Sequence, residues 1–241
     1  MAQSDPGNSN WQRDLAIANN NVSDALEPLG DLAGALKSYR DGLNIKDKLA
    51  KSDPSNSNWQ RDLSLSYERI GGVQKTQGDL AGALKSFRDN LAVVDRLAKA
   101  DAKNTEWQRD LSIAYRQIGQ VQMAQGDLAG ALKSYRDARA IADRLAKSDA
   151  GNAGWQRDLA VSYDDIADVQ GPQGGLPGAL KSYRDALAIR ETLARSDPGN
   201  TEWQRDLVFS HGKIGDVQEA QGDLAGALNS FTTRSPSPSG W

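Results

Sequence analysis

Cysteine is absent from the chain, and histidine occurs once, at His211. The first absence excludes a disulfide framework and thiolate chemistry, and it suits a reducing compartment such as the cytoplasm. The second leaves no His/Cys group at metal-ligand spacing, so no metal site is expected. An excess of either charge is missing too: 29 Lys plus Arg stand against 32 Asp plus Glu, a formal net charge of −3. A chain so balanced, with no basic stripe, lacks the electrostatic footprint of a nucleic-acid binder. Long apolar runs are also lacking. None approaches the roughly 18 residues of a membrane span, and the opening Met1-Ala2-Gln3-Ser4-Asp5-Pro6 has neither a basic nor an apolar leader segment. The expectation is a soluble, cytoplasmic protein with neither membrane nor nucleic acid as partner.

What is present is repetition. Trp-Gln-Arg-Asp-Leu begins at Trp11, Trp59, Trp107, Trp155 and Trp203, every 48 residues. A second anchor, Gly-Asp-Leu-Ala-Gly-Ala-Leu, begins at Gly30, Gly78, Gly126 and Gly222, and becomes Gly174-Gly175-Leu176-Pro177-Gly178-Ala179-Leu180 in the fourth repeat. Five repeats, I to V, follow, each with two halves.

Both halves have a helical period. In repeat III, Trp107, Leu111, Ala114, Tyr115, Ile118 and Val121 advance by threes and fours, as do Leu128, Ala131, Leu132, Tyr135, Ala138, Ile141, Ala142 and Leu145. Asn104 suits an N-cap, Gly126 the left-handed residue that ends the first helix, and Asp127 the cap of the second. Ser52-Asp53-Pro54-Ser55-Asn56 and Ser196-Asp197-Pro198-Gly199-Asn200 read as turns between repeats. Each helix is then about 20 residues, or about 30 Å, long. One such hairpin cannot bury its apolar stripe, so neighbours must stack into an all-α solenoid of antiparallel hairpins.

The run Tyr115, Ile118, Gly119, Gly126-Asp127, Ala131, Tyr135 and Ala138 resembles the tetratricopeptide repeat signature, and Tyr67, Ile70, Gly71, Gly78-Asp79, Ala83 and Phe87 repeat it, with Asn90 in the last place. The resemblance implies a right-handed superhelix whose first helices line a concave groove for a protein or peptide ligand. It implies no catalysis and no cofactor. The period departs from the family's usual 34 residues, which the longer helices and the Trp-Gln-Arg-Asp-Leu segment account for. Residues 1–231 are expected to form one solenoid, its last repeat truncated, and 232–241, rich in Ser and Pro, a disordered tail.

Positions common to all repeats belong to packing and capping. Gly71, Gly119 and Gly215 are expected to admit a facing backbone, the five tryptophans to anchor the core, and Arg13-Asp14 and Arg40-Asp41 with their copies to form charge ladders of solubility and register. His211 stands where other repeats have Tyr67, Tyr115 and Tyr163, a packing substitution. The chain has no Gly-x-Ser-x-Gly, phosphate-loop or dinucleotide pattern, and Asp164-Asp165 diverge on a helix surface, so no enzyme is expected.

Binding should reside where the repeats differ. The varying stripe of the first helices comprises Asn20, Asp24 and Glu27; Glu68, Gly72 and Lys75; Arg116, Gln120 and Met123; Asp164, Asp168 and Gly171; and Gly212, Asp216 and Glu219. It reads as acidic at both ends with a cationic, soft apolar centre, matching a partner with an acidic or C-terminal carboxylate group in its middle and basic groups toward its ends. An unconstrained solvated surface varies in the same way. Asn19-Asn20-Asn21 and Pro28 suggest a polar N-terminal cap with an early helix stop. The truncated last repeat leaves an apolar edge at Leu224 and Phe231, a route to homo-oligomers by end stacking or to a longer array of which this chain is a fragment.

Overall fold

The structure, a computed structural model, describes residues 8–233. They form ten α-helices: α1 Ser9–Leu26, α2 Leu32–Ser52, α3 Ser57–Thr76, α4 Leu80–Ala100, α5 Thr105–Ala124, α6 Leu128–Ser148, α7 Ala153–Gln170, α8 Leu176–Ser196, α9 Thr201–Ala220 and α10 Leu224–Thr233. The fold is all-α. Of the expected tail, Thr232 and Thr233 close α10, and 234–241 lie outside the described residues, as does the opening segment Met1 to Pro6.

The chain divides into two compact modules, Met1–Gly126 with α1 to α5 and Asp127–Trp241 with α6 to α10. Within each module successive helices pack on one another, α1 on α2, α2 on α3 and onward to α5, then α6 on α7 and onward to α10.

The boundaries follow from five copies of the same local chemistry. An Asn side chain caps the first helix of each repeat: Asn8, Asn56, Asn104, Asn152 and Asn200 accept from the backbone N–H of the Trp three residues on, at 3.1 to 3.3 Å. At the far end Gly30, Gly78, Gly126, Gly174 and Gly222 sit at φ of 79° to 81°. Their left-handed conformation turns the chain so that, at Gly78, the glycine N–H reaches Lys75 O at 3.0 Å and Asp79 N–H reaches Gln74 O at 2.9 Å. The Asp that follows then caps the second helix, Asp79 accepting from Gly82 N–H at 2.9 Å. Repeat IV has Gly175 there, with no side-chain cap, and begins α8 with Pro177, whose missing N–H costs nothing in a first turn. Pro28 marks the early stop of α1 at Leu26.

Each letter of Trp-Gln-Arg-Asp-Leu has a separate contact. Trp59 and Trp107 pack on Ala50, Leu63, Val93 and Leu97, and Trp155 on Ala142, Ala146 and Leu159. The Gln ties back to the C-terminus of the preceding helix, Gln60 Nε2 donating to Ala50 O at 2.9 Å and Gln156 Nε2 to Ala146 O at 3.0 Å, and so satisfies a carbonyl a helix end leaves open. The Arg pairs with the Asp of the next copy: Arg13 Nε to Asp62 at 2.7 Å, Arg61 Nε to Asp110 at 3.1 Å, Arg157 Nε to Asp206 at 2.9 Å. The Leu is core.

Two packing expectations need correction. What faces Gly71 is an aromatic ring rather than backbone: a Cβ there would lie 2.7 Å from Phe87, and Gly215 abuts Phe231 in the same way. The expected Arg40-Asp41 ladder is replaced, in the copies Asp89, Asp137 and Asp185, by pairs inside one helix with Lys85, Lys133 and Lys181 at 2.7 to 3.0 Å. A lysine four residues earlier on the same face is nearer than any neighbouring helix.

Two glycines six residues apart should respond oppositely to alanine. Gly78→Ala forces a Cβ into left-handed backbone and should lower unfolding free energy by about 1 to 2 kcal/mol. Gly72→Ala, in the interior of α3 with nothing within 4 Å of its new Cβ, should raise it by about 0.5 to 1 kcal/mol. Urea denaturation followed by circular dichroism measures both.

Candidate functional site

The exposed stripe of the first helices is built from positions three, four and seven apart, which lie on one helical face. In the amino-terminal module α1, α3 and α5 supply it. Asp24 accepts from Arg69 Nη1 of α3 at 2.7 Å and from the Tyr39 hydroxyl, which also reaches Glu27 at 2.6 Å. Glu68 accepts from Gln117 Nε2 at 2.8 Å, and exposed Lys75 donates to Gln120 Oε1 at 3.0 Å. Arg116 and Met123 are half-buried on α5. The structure thus joins α3 to α5 by two separate links, Glu68 with Gln117 and Lys75 with Gln120. The partner of Lys75 is neutral.

In the carboxy-terminal module the expected acidic surface is largely neutralised. Asp168 binds Lys213 Nζ at 2.7 Å and the Tyr183 hydroxyl at 2.5 Å. Asp164, expected on the helix surface, is buried at 6% exposure, its Oδ2 2.5 Å from Arg190 Nη2. Arg190 of α8 also donates through Nη1 to Ser210 Oγ at 2.6 Å. Asp164 turns inward because a guanidinium 26 residues later gives a buried carboxylate its partner. Asp216 and Glu219 are exposed on α9.

Repeats I and IV share this arrangement: a phenol, a carboxylate and a cation from the following repeat, Tyr39–Asp24–Arg69 and Tyr183–Asp168–Lys213. Burial first, then the carboxylate acceptors, push both phenols well above the ordinary tyrosine range. Repeat II has Phe87 and Gly72 at the corresponding positions, losing hydroxyl and acceptor together. The copies of Asp164 and Arg190 in repeat I are Asn20 and Lys46. Lys46 is 4% exposed and donates to Ser66 Oγ at 2.9 Å, while Asn20 Oδ1 is buried without a partner. The run of asparagines in α1 is therefore partly interior, not only a polar cap.

One feature of the face escapes a search for varying polar positions. Ile17, Leu65, Ile113, Val161 and Phe209 occupy one position in all five repeats, three residues before the polar stripe begins, and none is buried. Ile17, Leu65 and Phe209 are 40%, 39% and 48% exposed. Arg190 and Lys213 stand over the Phe209 ring at 5.6 and 5.5 Å. The legible signal was a recurrent apolar position lying off the packing stripe.

No protein-family model and no curated protein matches the sequence. Solved structures do. BtubC from P. vanneervenii covers 97% of this chain and 82% of its own, with a TM-score of 0.74 at 18% identity. The TPR-like repeats of a Podosopora anserina putative kinesin light chain cover 92% and 94%, with a TM-score of 0.64 at 13% identity. MamA covers 88% and 92%, with a TM-score of 0.53 at 18% identity. The fold is a TPR-like helical repeat. At these identities the likeness extends to architecture alone.

Within this TPR-like frame the two buried cations have opposite electrostatic standing. Arg190 has a carboxylate partner, so Arg190→Ala, which strands Asp164, should cost about 3 to 5 kcal/mol, whereas the joint replacement Asp164→Leu, Arg190→Met should restore most of it. Thermal unfolding of the three proteins decides.

Lys46 has no close carboxylate, and burial holds its pKa below the ordinary lysine value, only partly opposed by Asp62. Because the folded value lies below the unfolded one of about 10.4, the unfolded chain holds more protons between the two, and stability rises with pH across that window. Lys46→Met should accordingly raise the Tm near pH 7, and the gain should shrink as pH climbs toward 10.5. Paired melts at successive pH values test the sign.

Proposed function

We propose that this chain is a non-catalytic interaction scaffold that binds a protein or peptide segment along the exposed face of its first helices. The observation that carries the reading is the recurrent apolar position. Packing does not account for Ile17, Leu65 and Ile113 in the amino-terminal module, since they lie outside the stripe that meets the second helices, yet each repeat keeps an aliphatic or aromatic residue there. Exposed apolar side chains set among fixed polar groups are the composition of a recognition surface.

The electrostatics refine the expected ligand. Asp24, Asp164 and Asp168 are already paired, so a basic group of a partner would meet Glu27 on the amino-terminal module, or Asp216 and Glu219 on the carboxy-terminal one. Lys75, exposed and held by the neutral Gln120 side chain, is the position for an acidic or C-terminal carboxylate group, with Arg116 and Met123 beside it on α5. A ligand with apolar residues to lie on Leu65 and Ile113 and a carboxylate to meet Lys75 fits this surface. Nucleic acid does not, given the balanced charge. Among the described residues no helix is long and apolar enough to cross a membrane, and a reducing cytoplasmic setting fits a chain without cysteine.

A second reading, self-assembly through the ends, draws on α10. Leu224 and Leu228 are 67% and 65% exposed, whereas their copies Leu32, Leu36, Leu176 and Leu180 pack against a following helix. Phe231, expected at this edge, turns inward against Gly215.

A peptide-library selection against the purified chain separates the readings when run beside Leu65→Ser and Lys75→Glu variants of equal helicity. Enriched peptides should carry an acidic group near apolar residues and lose at least tenfold in affinity for both variants. Enrichment indifferent to both changes, or none, would remove the groove; concentration-dependent assembly abolished by Leu224→Ser, Leu228→Ser would favour end stacking.

A further inference from the structure

One position of the second helices carries Leu43, Leu91 and Leu187 in repeats I, II and IV, and Arg139 in repeat III. The leucines are packing residues: Leu43 lies with Leu63 and Tyr67, Leu91 with Phe87 and Ile118, Leu187 with Tyr183 and Ile214. Arg139 of α6 stands at this packing position with a charge at its end. Its guanidinium carbon sits over the Tyr163 ring of α7, 5.3 Å from the centroid, and its Nε is buried with no hydrogen-bond partner. Among the described residues no carboxylate pairs with it. Asp143, one turn further along α6, is taken by Lys147 at 2.7 Å, and Asp185 of α8 by Lys181 at 2.7 Å. The fully buried cations of the chain are matched from within, Lys46 by Ser66 and Arg190 by Asp164 and Ser210. Arg139 departs from that rule.

Tyr163 lies between two second helices. It packs with Ala142 and Ala146 of α6 in the cluster that also takes Ile189 of α8. The residue is half-buried, and its hydroxyl makes no hydrogen bond to a described residue. At the copied place in the amino-terminal module the fold leaves a depression of about 370 Å³, lined by Tyr67 with Asp47, Lys51 and Asp89, the copies of Tyr163 with Asp143, Lys147 and Asp185. Lys181 is at the rim in the carboxy-terminal module: its pKa, raised chiefly by the pair with Asp185, is raised further by Tyr163 and lowered by Arg139.

We propose that Arg139 and Tyr163 form a second binding site, between the second helices of the carboxy-terminal module, for an acidic side chain of a partner protein segment. The charge balance sets the ligand's charge. Asp143 with Lys147 and Asp185 with Lys181 cancel in pairs, which leaves the single positive charge of Arg139, and one carboxylate neutralises it. A doubly charged phosphate would exceed that balance and meet the two aspartates as well. The geometry agrees: a guanidinium presents parallel N–H donors to the two oxygens of a carboxylate, and its terminal nitrogens are the part left open once Nε is buried. The Tyr163 hydroxyl supplies a neutral donor beside it. A half-exposed ring between two helices makes a shallow site, suited to one side chain of a protein chain rather than to an enclosed small molecule. Ile189 and the flanking alanines then favour apolar neighbours on either side of the acid. This site is separate from the first-helix face proposed above, and a partner could engage either alone.

The test follows the Arg139 Nε–Hε resonance of the full, ¹⁵N-labelled chain while the acetylated and amidated peptide Leu-Glu-Leu is added. A saturable shift is expected, with affinity at least tenfold lower for Leu-Gln-Leu. Arg139→Leu, which installs the residue the other repeats have, should melt at least as high as the parent and bind the Glu peptide at least tenfold less. Lys75→Glu, which disables the first-helix face, should leave the titration unchanged. No saturable shift, equal binding of the Gln peptide, or undiminished binding by Arg139→Leu would overturn the proposal. So would an Arg139→Leu chain that melts below the parent, which would show the guanidinium to be compensated inside the protein, and so would loss of binding in Lys75→Glu, which would place the peptide on the first helices. Inorganic phosphate that shifts the resonance at a concentration tenfold below the peptide's would overturn the carboxylate assignment in favour of a phosphate group.

Discussion

The hairpins of repeats II, IV and V close where an aromatic ring from the second helix lies against a small residue of the first. Phe87 meets Gly71 and Phe231 meets Gly215 so closely that no Cβ fits between them, and Tyr183 packs with Ala167. That approach holds the two helices together along their length and places Ala35, Ala83 and Ala179 at 0% exposure. The fully buried alanines and the aliphatic residues that seat the next repeat all depend on this spacing. Phe87 is paired with Gly71, whereas Tyr39 and Tyr183, standing with Ser23 and Ala167, have hydroxyls drawn toward carboxylates on the first helix.

The helices, their caps and their turns were legible because each is decided within a few residues. Asn56 before Trp59, Gly78 before Asp79 and the three-and-four spacing of Leu63, Tyr67 and Ile70 are local signals, and five copies average away the exceptions. The candidate site was legible in outline only. Asp164 and Asp165 are adjacent and look alike in the sequence; what separates them is Arg190, 26 residues from Asp164 and on another helix. The copies of Asp164 are Asn20, Glu68, Arg116 and Gly212, so no repeat average could reveal its burial. The apolar row beginning at Ile17 was visible as a recurrent position, but exposure, the property that gives it meaning, depends on how the two helices of a hairpin are turned toward each other.

The differences between repeats fall into two kinds. Some are interior polar substitutions compensated inside the protein: Lys46 with Ser66, and Arg190 with Asp164 and Ser210. These set each repeat's neighbour rather than its ligand, because an uncompensated charge would be costly where they sit. Others, such as Lys75, Asp216 and Glu219, remain at the surface and are available to a partner. The first kind makes adjacent repeats non-interchangeable in detail, and the second lies on the face proposed above for recognition of a protein segment.

The ladder from Arg13 to Asp62 and from Arg61 to Asp110 links residues 49 apart, one more than the period, as does the link from Arg157 to Asp206. Each rung therefore needs only that the next copy exist, not that it be a particular one. Excision of one whole period would hand Arg13 the carboxylate of Asp110 in place of that of Asp62, whereas excision of any other length would leave the rung facing the wrong side chain. Length is thus inherited in steps of a complete repeat. Recombination between the near-identical Trp-Gln-Arg-Asp-Leu segments can lengthen or shorten such a protein while every junction it creates is one the protein already knows how to pack.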